Sequence, residues 1–182
     1  MSLLLNLIEL IVGLGILGII VIVVYAHLKG TGNSVIMTKD RTELKLEEVT
    51  ATEAKFSTEF SMVNIGSEDC TILDVFARPY LPQEQYDKAT VSCHVETTDR
   101  RRSDNYFEAM LLPQGTERRL ILTLTFVANG TRSIKEALND MVDMDVAVYH
   151  DGASRKLLYT KRAYTTFFSK EFKDLVGGKE NE

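Results

Sequence analysis

Residues 119–127 read Arg119-Leu120-Ile121-Leu122-Thr123-Leu124-Thr125-Phe126-Val127. Leu120, Leu122, Leu124 and Phe126 share one face, and Thr123 and Thr125 take the other. This two-residue period is that of a strand with one face in a core. Ile121 makes its start two-sided. The same alternation recurs upstream. In 41–50, Leu44 and Leu46 oppose Lys45 and Glu47, and in 54–65, Phe56, Phe60 and Met62 oppose Lys55, Glu59 and Ser61. In 90–97, Val91, Cys93 and Val95 oppose Ser92, His94 and Glu96. Residues 70–78 are more fully apolar, as suits a strand in the middle of a sheet. Strands are also expected from Val35, over 106–112, from Met144 to Val148, and over 157–167.

Turn chemistry separates these runs. Asn64 to Asp69, Asp99 to Asn105 and Pro113-Gln114-Gly115 are polar or carry Gly and Pro, and residues 79–87 hold two prolines. Asp151-Gly152 is the expected turn of a closing hairpin. Ser133-Ile134-Lys135-Glu136 is a capping box. Ile134, Ala137, Leu138 and Met141 then follow at helical spacing, giving one short helix. About eight short antiparallel strands with tight turns define a two-sheet sandwich.

The other decisive stretch is Leu10 to Ala26, seventeen residues without a charge. Counted from Leu3, with Asn6 and Glu9 tolerated, a helix would rise about 36 Å, enough for a hydrocarbon core of about 30 Å. Residues 1–29 are therefore assigned to a transmembrane anchor and 30–34 to a flexible link. Residues 35–172 form the sandwich and 173–182 a disordered tail. A cleaved signal ending at Val24-Tyr25-Ala26 competes. Its apolar run exceeds the usual 7–15 residues, and no Lys or Arg precedes it in the sequence. Gly13, Gly15 and Gly18 spell G-x-G-x-x-G. They lie inside one apolar segment rather than between a strand and a helix, so they read as small residues of a membrane helix.

Orientation is read from two opposed features. Lys29, Lys39 and Arg41 follow the span and point to a cytoplasmic domain. A short anchor followed by a sandwich is, by fold-level analogy, an exported design, and the reading leans extracytoplasmic.

Leu7-Ile8-Glu9-Leu10-Ile11-Val12 resembles the start of a mature type IV pilin. The resemblance implies that Glu9 contacts a neighbouring subunit in a filament assembled through the N-terminal helix. The sequence departs from that pattern at Leu4, where the family has glycine, and at Gly30 to Asn33, which break the chain where bacterial pilins continue their helix. The preferred place for Glu9 is the membrane interface. Phe60 to Gly66, Leu112 to Thr116 and the region around Asp151-Gly152 are similar to small immunoglobulin-like domains, including those of the late embryogenesis abundant, water-stress type. That resemblance implies an immunoglobulin-like sandwich and transfers no catalytic residue. The absence of Trp excludes the antibody-type core.

A formal net charge of −5 argues against nucleic acid as a partner. Arg100-Arg101-Arg102 is the densest basic run, flanked by Asp99 and Asp104. It is the candidate contact for an acidic partner surface or lipid phosphates, and Glu9 is the candidate contact for a neighbouring subunit. His27, His94 and His150 have no metal-ligand spacing, and no G-x-S-x-G elbow occurs. Asn139, Asp140, Asp143 and Asp145 offer oxygens for calcium, but not in the loop spacing that holds it. Asn129-Gly130-Thr131 is a glycosylation sequon. Cys70 and Cys93 are expected as free thiols in strands, a single bridge requiring neighbouring strands. No catalytic, cofactor or metal residue and no small-molecule substrate is assigned. The expected partners are membrane lipid and other protein subunits, and the expected role is binding or structural within a membrane or envelope assembly.

Overall fold

In the computed structural model, residues 2–82, 86–102, 104, 106–155 and 157–177 are described, with the side chains of Ser2 and His27 excepted. The chain begins with α1 (Ser2–Leu28). Then come β1 (Ser34–Met37), a single 3-10 turn (Thr38–Asp40), β2 (Lys45–Val49), β3 (Glu53–Asn64), β4 (Cys70–Tyr80), β5 (Ala89–Thr97), β6 (Met110–Leu112) and β7 (Glu117–Ala128). Helix α2 (Ile134–Asn139) leads to β8 (Met144–Ser154), β9 (Leu157–Phe167) and α3 (Ser169–Gly177). One antiparallel sheet has the order β1-β3-β7-β5, with β2 also paired to β3; the other has the order β6-β4-β8-β9. The protein is mainly β, with the two sheets sandwiching one core.

The leucine ladder of β7 sets that core. Leu120, Leu122, Leu124 and Phe126 are wholly buried, and pair in register with Phe60, Thr58, Phe56 and Ala54 of β3. The expectation for residues 119–127 holds, and the strand extends a little at both ends. The capping box also holds. Ser133 Oγ accepts from the Glu136 amide, and the Glu136 carboxylate accepts from the Ser133 amide at 2.9 Å.

Four expectations are corrected. The tail is not unstructured from 173, because α3 covers Ser169–Gly177. Its Phe172 is fully buried, in edge contact with Phe56 and Phe126 at 5.0 Å between ring centroids. Leu175 and Val176 pack on the same core, completing an i, i+3, i+4 stripe. The remainder of that tail, 178–182, lies outside the described residues. Asp151-Gly152 is not the hairpin turn. Both lie within β8, where Gly152 pairs with Tyr159, and a Cβ there would strike the Tyr159 ring. The glycine makes room for an aromatic, and the chain turns beyond Ser154. The strand expected over 106–112 shrinks to Met110–Leu112, although Phe107 is still buried.

The fourth correction concerns the link. Residues 30–34 are packed onto the domain. The Ile65 amide donates to the Asn33 carbonyl at 2.9 Å and the Ser67 amide to the Thr31 carbonyl at 3.2 Å, which prolongs the β1–β3 ladder toward α1. Asn64, fully buried, closes this seam with all four of its side-chain hydrogen bonds. Its Oδ1 accepts from the Asn33 and Gly66 amides at 3.1 and 3.0 Å. Its Nδ2 donates to the Glu68 and Leu112 carbonyls at 2.8 and 3.0 Å. Gly32 sits so close to Cys70 that a Cβ on it would lie 2.6 Å from the Cys70 Cβ.

Thr123 Oγ1 is buried with no hydrogen-bond partner among the described residues. An unmet hydroxyl costs about 1–3 kcal/mol, whereas an unpaired buried carboxylate costs several. Thr123→Val is therefore expected to leave the thermal midpoint unchanged or raise it. Leu124→Asp, one residue along, is expected to prevent folding. Circular dichroism melts of the two variants beside the parent check both.

Candidate functional site

The residues expected to contact a partner lie far apart in the fold. Glu9 is exposed on α1 among exposed apolar side chains. The arginine run follows β5, and each guanidinium has a carboxylate partner. Arg100 pairs with Glu108 at 3.2 Å, Arg101 with Glu96 at 3.2 Å and Arg102 with Asp104 at 2.6 Å. Glu96 is buried, and it also accepts from the Arg102 amide at 2.6 Å. The Asp104 carboxyl is held well below the usual range, chiefly by the Arg102 guanidinium. These arginines tie the β5–β6 connection through ion pairs while their side chains stay 42–65% exposed.

The acidic group after α2 is likewise divided. Asp140 pairs with Lys88, Asp143 accepts the Ser169 amide at 2.8 Å, and Asp145 accepts the Thr166 hydroxyl at 2.6 Å. Among the described residues no cluster of three or more metal-ligating side chains forms. Asn129 bonds the Asp87 carbonyl at 2.8 Å and the Thr90 hydroxyl at 3.0 Å. Both cysteines are free, and they sit on strands of different sheets. Burial alone pushes the Cys93 thiol up to about 12, so it is not a thiolate at neutral pH.

A feature that the sequence reading missed lies on the outer face of the second sheet. Register sets Phe76 opposite Tyr149 and Tyr149 opposite Arg162, then Arg78 opposite Ala147 and Ala147 opposite Tyr164. Tyr80 continues the row along β4. Phe76 and Tyr149 stack at 5.0 Å with planes 7° apart, and Tyr80 and Tyr164 lie 6.4 Å apart. Arg78 lies over the Phe76 ring at 5.7 Å and Arg162 over the Tyr164 ring at 5.6 Å. The Tyr80 and Tyr149 hydroxyls meet at 2.9 Å. The Tyr149 phenol is held below its ordinary range, first by the Tyr80 hydrogen bond and then by Arg162, while that of Tyr80 is raised. The result is a platform of four aromatic rings and two guanidinium groups around the buried Ala147. Tyr80 and Tyr164 are half exposed. Among the described residues neither Arg78 nor Arg162 has a carboxylate at ion-pair distance, unlike Arg100 to Arg102. The signal in the sequence was Phe76, Arg78 and Tyr80 at i, i+2 and i+4, repeated by Arg162 and Tyr164.

A second polar group is centred on buried Ser34 and His150. Ser34 Oγ lies 2.9 Å from His150 Nε2 and 2.7 Å from the Tyr159 hydroxyl. Lys161 Nζ bonds the Ser34 carbonyl at 3.0 Å and the Asn33 side chain. Ser34 and His150 are buried, and His150 Nδ1 has no partner among the described residues. The pair has the residue types of a nucleophile and its base. With the partly buried Tyr159 and Lys161, it forms a chain of hydrogen bonds tying β1 to β8 and β9.

No protein family description matches the chain, and no curated protein matches it significantly. Among solved structures, the ApaA protein of Bordetella pertussis is similar over 75% of this chain and 94% of its own, at 7% identity and a TM-score of 0.41. The GAE domain of GGA2p from Saccharomyces cerevisiae is similar over 75% of this chain and 96% of its own, at 9% identity and a TM-score of 0.35.

Burial, then the nearby Lys161 charge, lower the His150 pKa from 6.5. A depressed folded pKa means that the unfolded chain takes the proton first. The stability held by neutral His150 is thus complete above pH 6.5 and declines as pH falls below it. The groups facing it are Ser34, Tyr159, Lys161 and Asp151. Urea midpoints measured from pH 7.5 to about 5.5 are expected to fall in the parent. They are expected to fall less in His150→Asn.

Proposed function

We propose that this chain is a single-pass membrane protein. In this reading α1 anchors the sandwich, and the aromatic and arginine face of β4, β8 and β9 docks another subunit of a membrane assembly. The anchor rests on Leu3–Ala26, 24 residues long and apolar enough to cross a bilayer, whose most apolar stretch is not buried against the domain. Docking rests on the platform. Tyr, Phe and Arg are the residue types enriched in the energetic centres of interfaces. A guanidinium with no carboxylate partner of its own can form bidentate bonds to a carboxylate on another protein. The partner surface that fits is therefore acidic, with an apolar neighbour to cover the rings. The role is binding rather than catalysis.

The test is gentle solubilisation of membranes from cells carrying the tagged parent or Arg162→Glu/Tyr164→Ser, with mass identification of what co-purifies. Both substitutions lie on the exposed face, so an unchanged melting temperature is expected. The parent is expected to retain a membrane protein, in constant ratio, that the variant loses. An identical set of proteins from the two, at equal amounts, would remove the platform as the docking site.

A further inference from the structure

The end of the sandwich nearest α1 exposes apolar side chains of its own. Helix α1 ends at Leu28, and the Lys29 ammonium lies 3.1 Å from Glu68 Oε1. The Arg155 guanidinium, at the tip of the β8–β9 hairpin, lies 3.4 Å from that same oxygen. One carboxylate thus separates the end of the apolar helix from the hairpin tip. The Glu68 pKa is lowered, first by the Lys29 hydrogen bond, consistent with a carboxylate held between two cations.

Beyond Arg155, the strand β9 starts with Leu157 and Leu158, which are 66% and 76% exposed. Leu158 pairs with Ala153, Ala153 with Thr71, and Thr71 with Leu111, itself 57% exposed. This cross-strand row lies on the outer face of the sheet, at the level where the chain enters from the anchor. Ile65, 62% exposed, belongs to the β3–β4 turn at the same end. At the opposite end of the first sheet, Val127 of β7, paired with Glu53, and Val49 of β2, paired with Ala54, are exposed at 44% and 41%. Adjacent leucines at a hairpin tip, beside a cation and next to an apolar helix, are the arrangement of an interfacial lipid anchor. The leucines enter the acyl boundary while lysine and arginine stay among the headgroups.

We propose that the Leu157-Leu158 tip, with Leu111 and Ile65, is a second lipid contact of this protein. Its occupant is the phospholipid surface of the bilayer that α1 crosses. The contact rests on the reading of α1 as a span. It fixes how the domain stands on the membrane and holds the β4–β8–β9 platform upright from the bilayer, facing sideways toward a neighbour.

The chain has no Trp, so single-Trp variants report their own depth. The full chain is reconstituted in vesicles of phosphatidylcholine and phosphatidylglycerol, with or without brominated acyl chains, as Val12→Trp, Leu158→Trp or Val127→Trp. Quenching by the brominated lipid is expected for Val12→Trp and Leu158→Trp, with blue-shifted emission from both, and not for Val127→Trp. Quenching of Val12→Trp without Leu158→Trp would overturn the lipid contact and leave the span standing. An unquenched Val12→Trp would overturn the span, and the hairpin contact with it. Equal quenching at 127 and 158 would show a domain with no fixed attitude and would also overturn the proposal.

Discussion

The attachment of the N-terminal helix to the sandwich depends on one buried amide. Asn64 meets all four of its side-chain hydrogen-bonding positions with backbone groups of four different residues. Those residues belong to the entering chain, the β3–β4 turn and the end of β6. The bond to the Leu112 carbonyl is fully buried and the other three are partly buried; a buried group left unmet costs about 1–3 kcal/mol. The same residue donates its own amide to the Thr116 carbonyl and accepts from the Gly115 amide, which fixes the entry to β7. A seam of this kind converts residues 30–33 from a swinging link into an extension of a sheet. It therefore sets the direction in which the domain faces.

With that end fixed, the rest of the sandwich divides labour between its faces. The inner faces supply stability through β7 and β3, with the phenylalanines of β3, β7 and α3 meeting edge to face. Such ring pairs add about 0.5–1.5 kcal/mol each beyond their buried area. The outer face of the second sheet keeps rings and guanidinium groups exposed, where they add little to folding. In the proposed reading this expense is recovered only on binding. The basic run 100–102 shows the contrasting use of arginine. There each charge is matched inside the chain, and the product is a braced loop.

The elements that were legible in the sequence are those whose signal is local. The alternation in β7 and β3, the capping box of α2 and the length of α1 each follow from residues within one element. Helix α3 was not legible because its Phe172, Leu175 and Val176 stripe spans little more than one turn before the glycines and the polar end of the chain. Asp151-Gly152 misled because glycine serves two purposes. Here it yields space to Tyr159 across the strand pair rather than bending the chain. The platform was out of reach because outward positions in a strand carry no register. Only the pairing of β4 with β8 and β8 with β9 brings Phe76, Tyr149 and Arg162 into one row. Ser34 and His150, more than a hundred positions apart, meet for the same reason.

Amide hydrogen exchange of the full chain in lipid nanodiscs tests most directly whether α1 and the sandwich are joined rigidly at Asn64. The amides to follow are those of Asn33, Ile65, Gly66 and Ser67, which donate within the seam. Rigid joining predicts protection approaching that of the β3–β7 ladder, and its loss at these four positions in Asn64→Ala. Exchange at unprotected rates in the parent, with β3 and β7 still protected, would contradict it and return the link to a free tether.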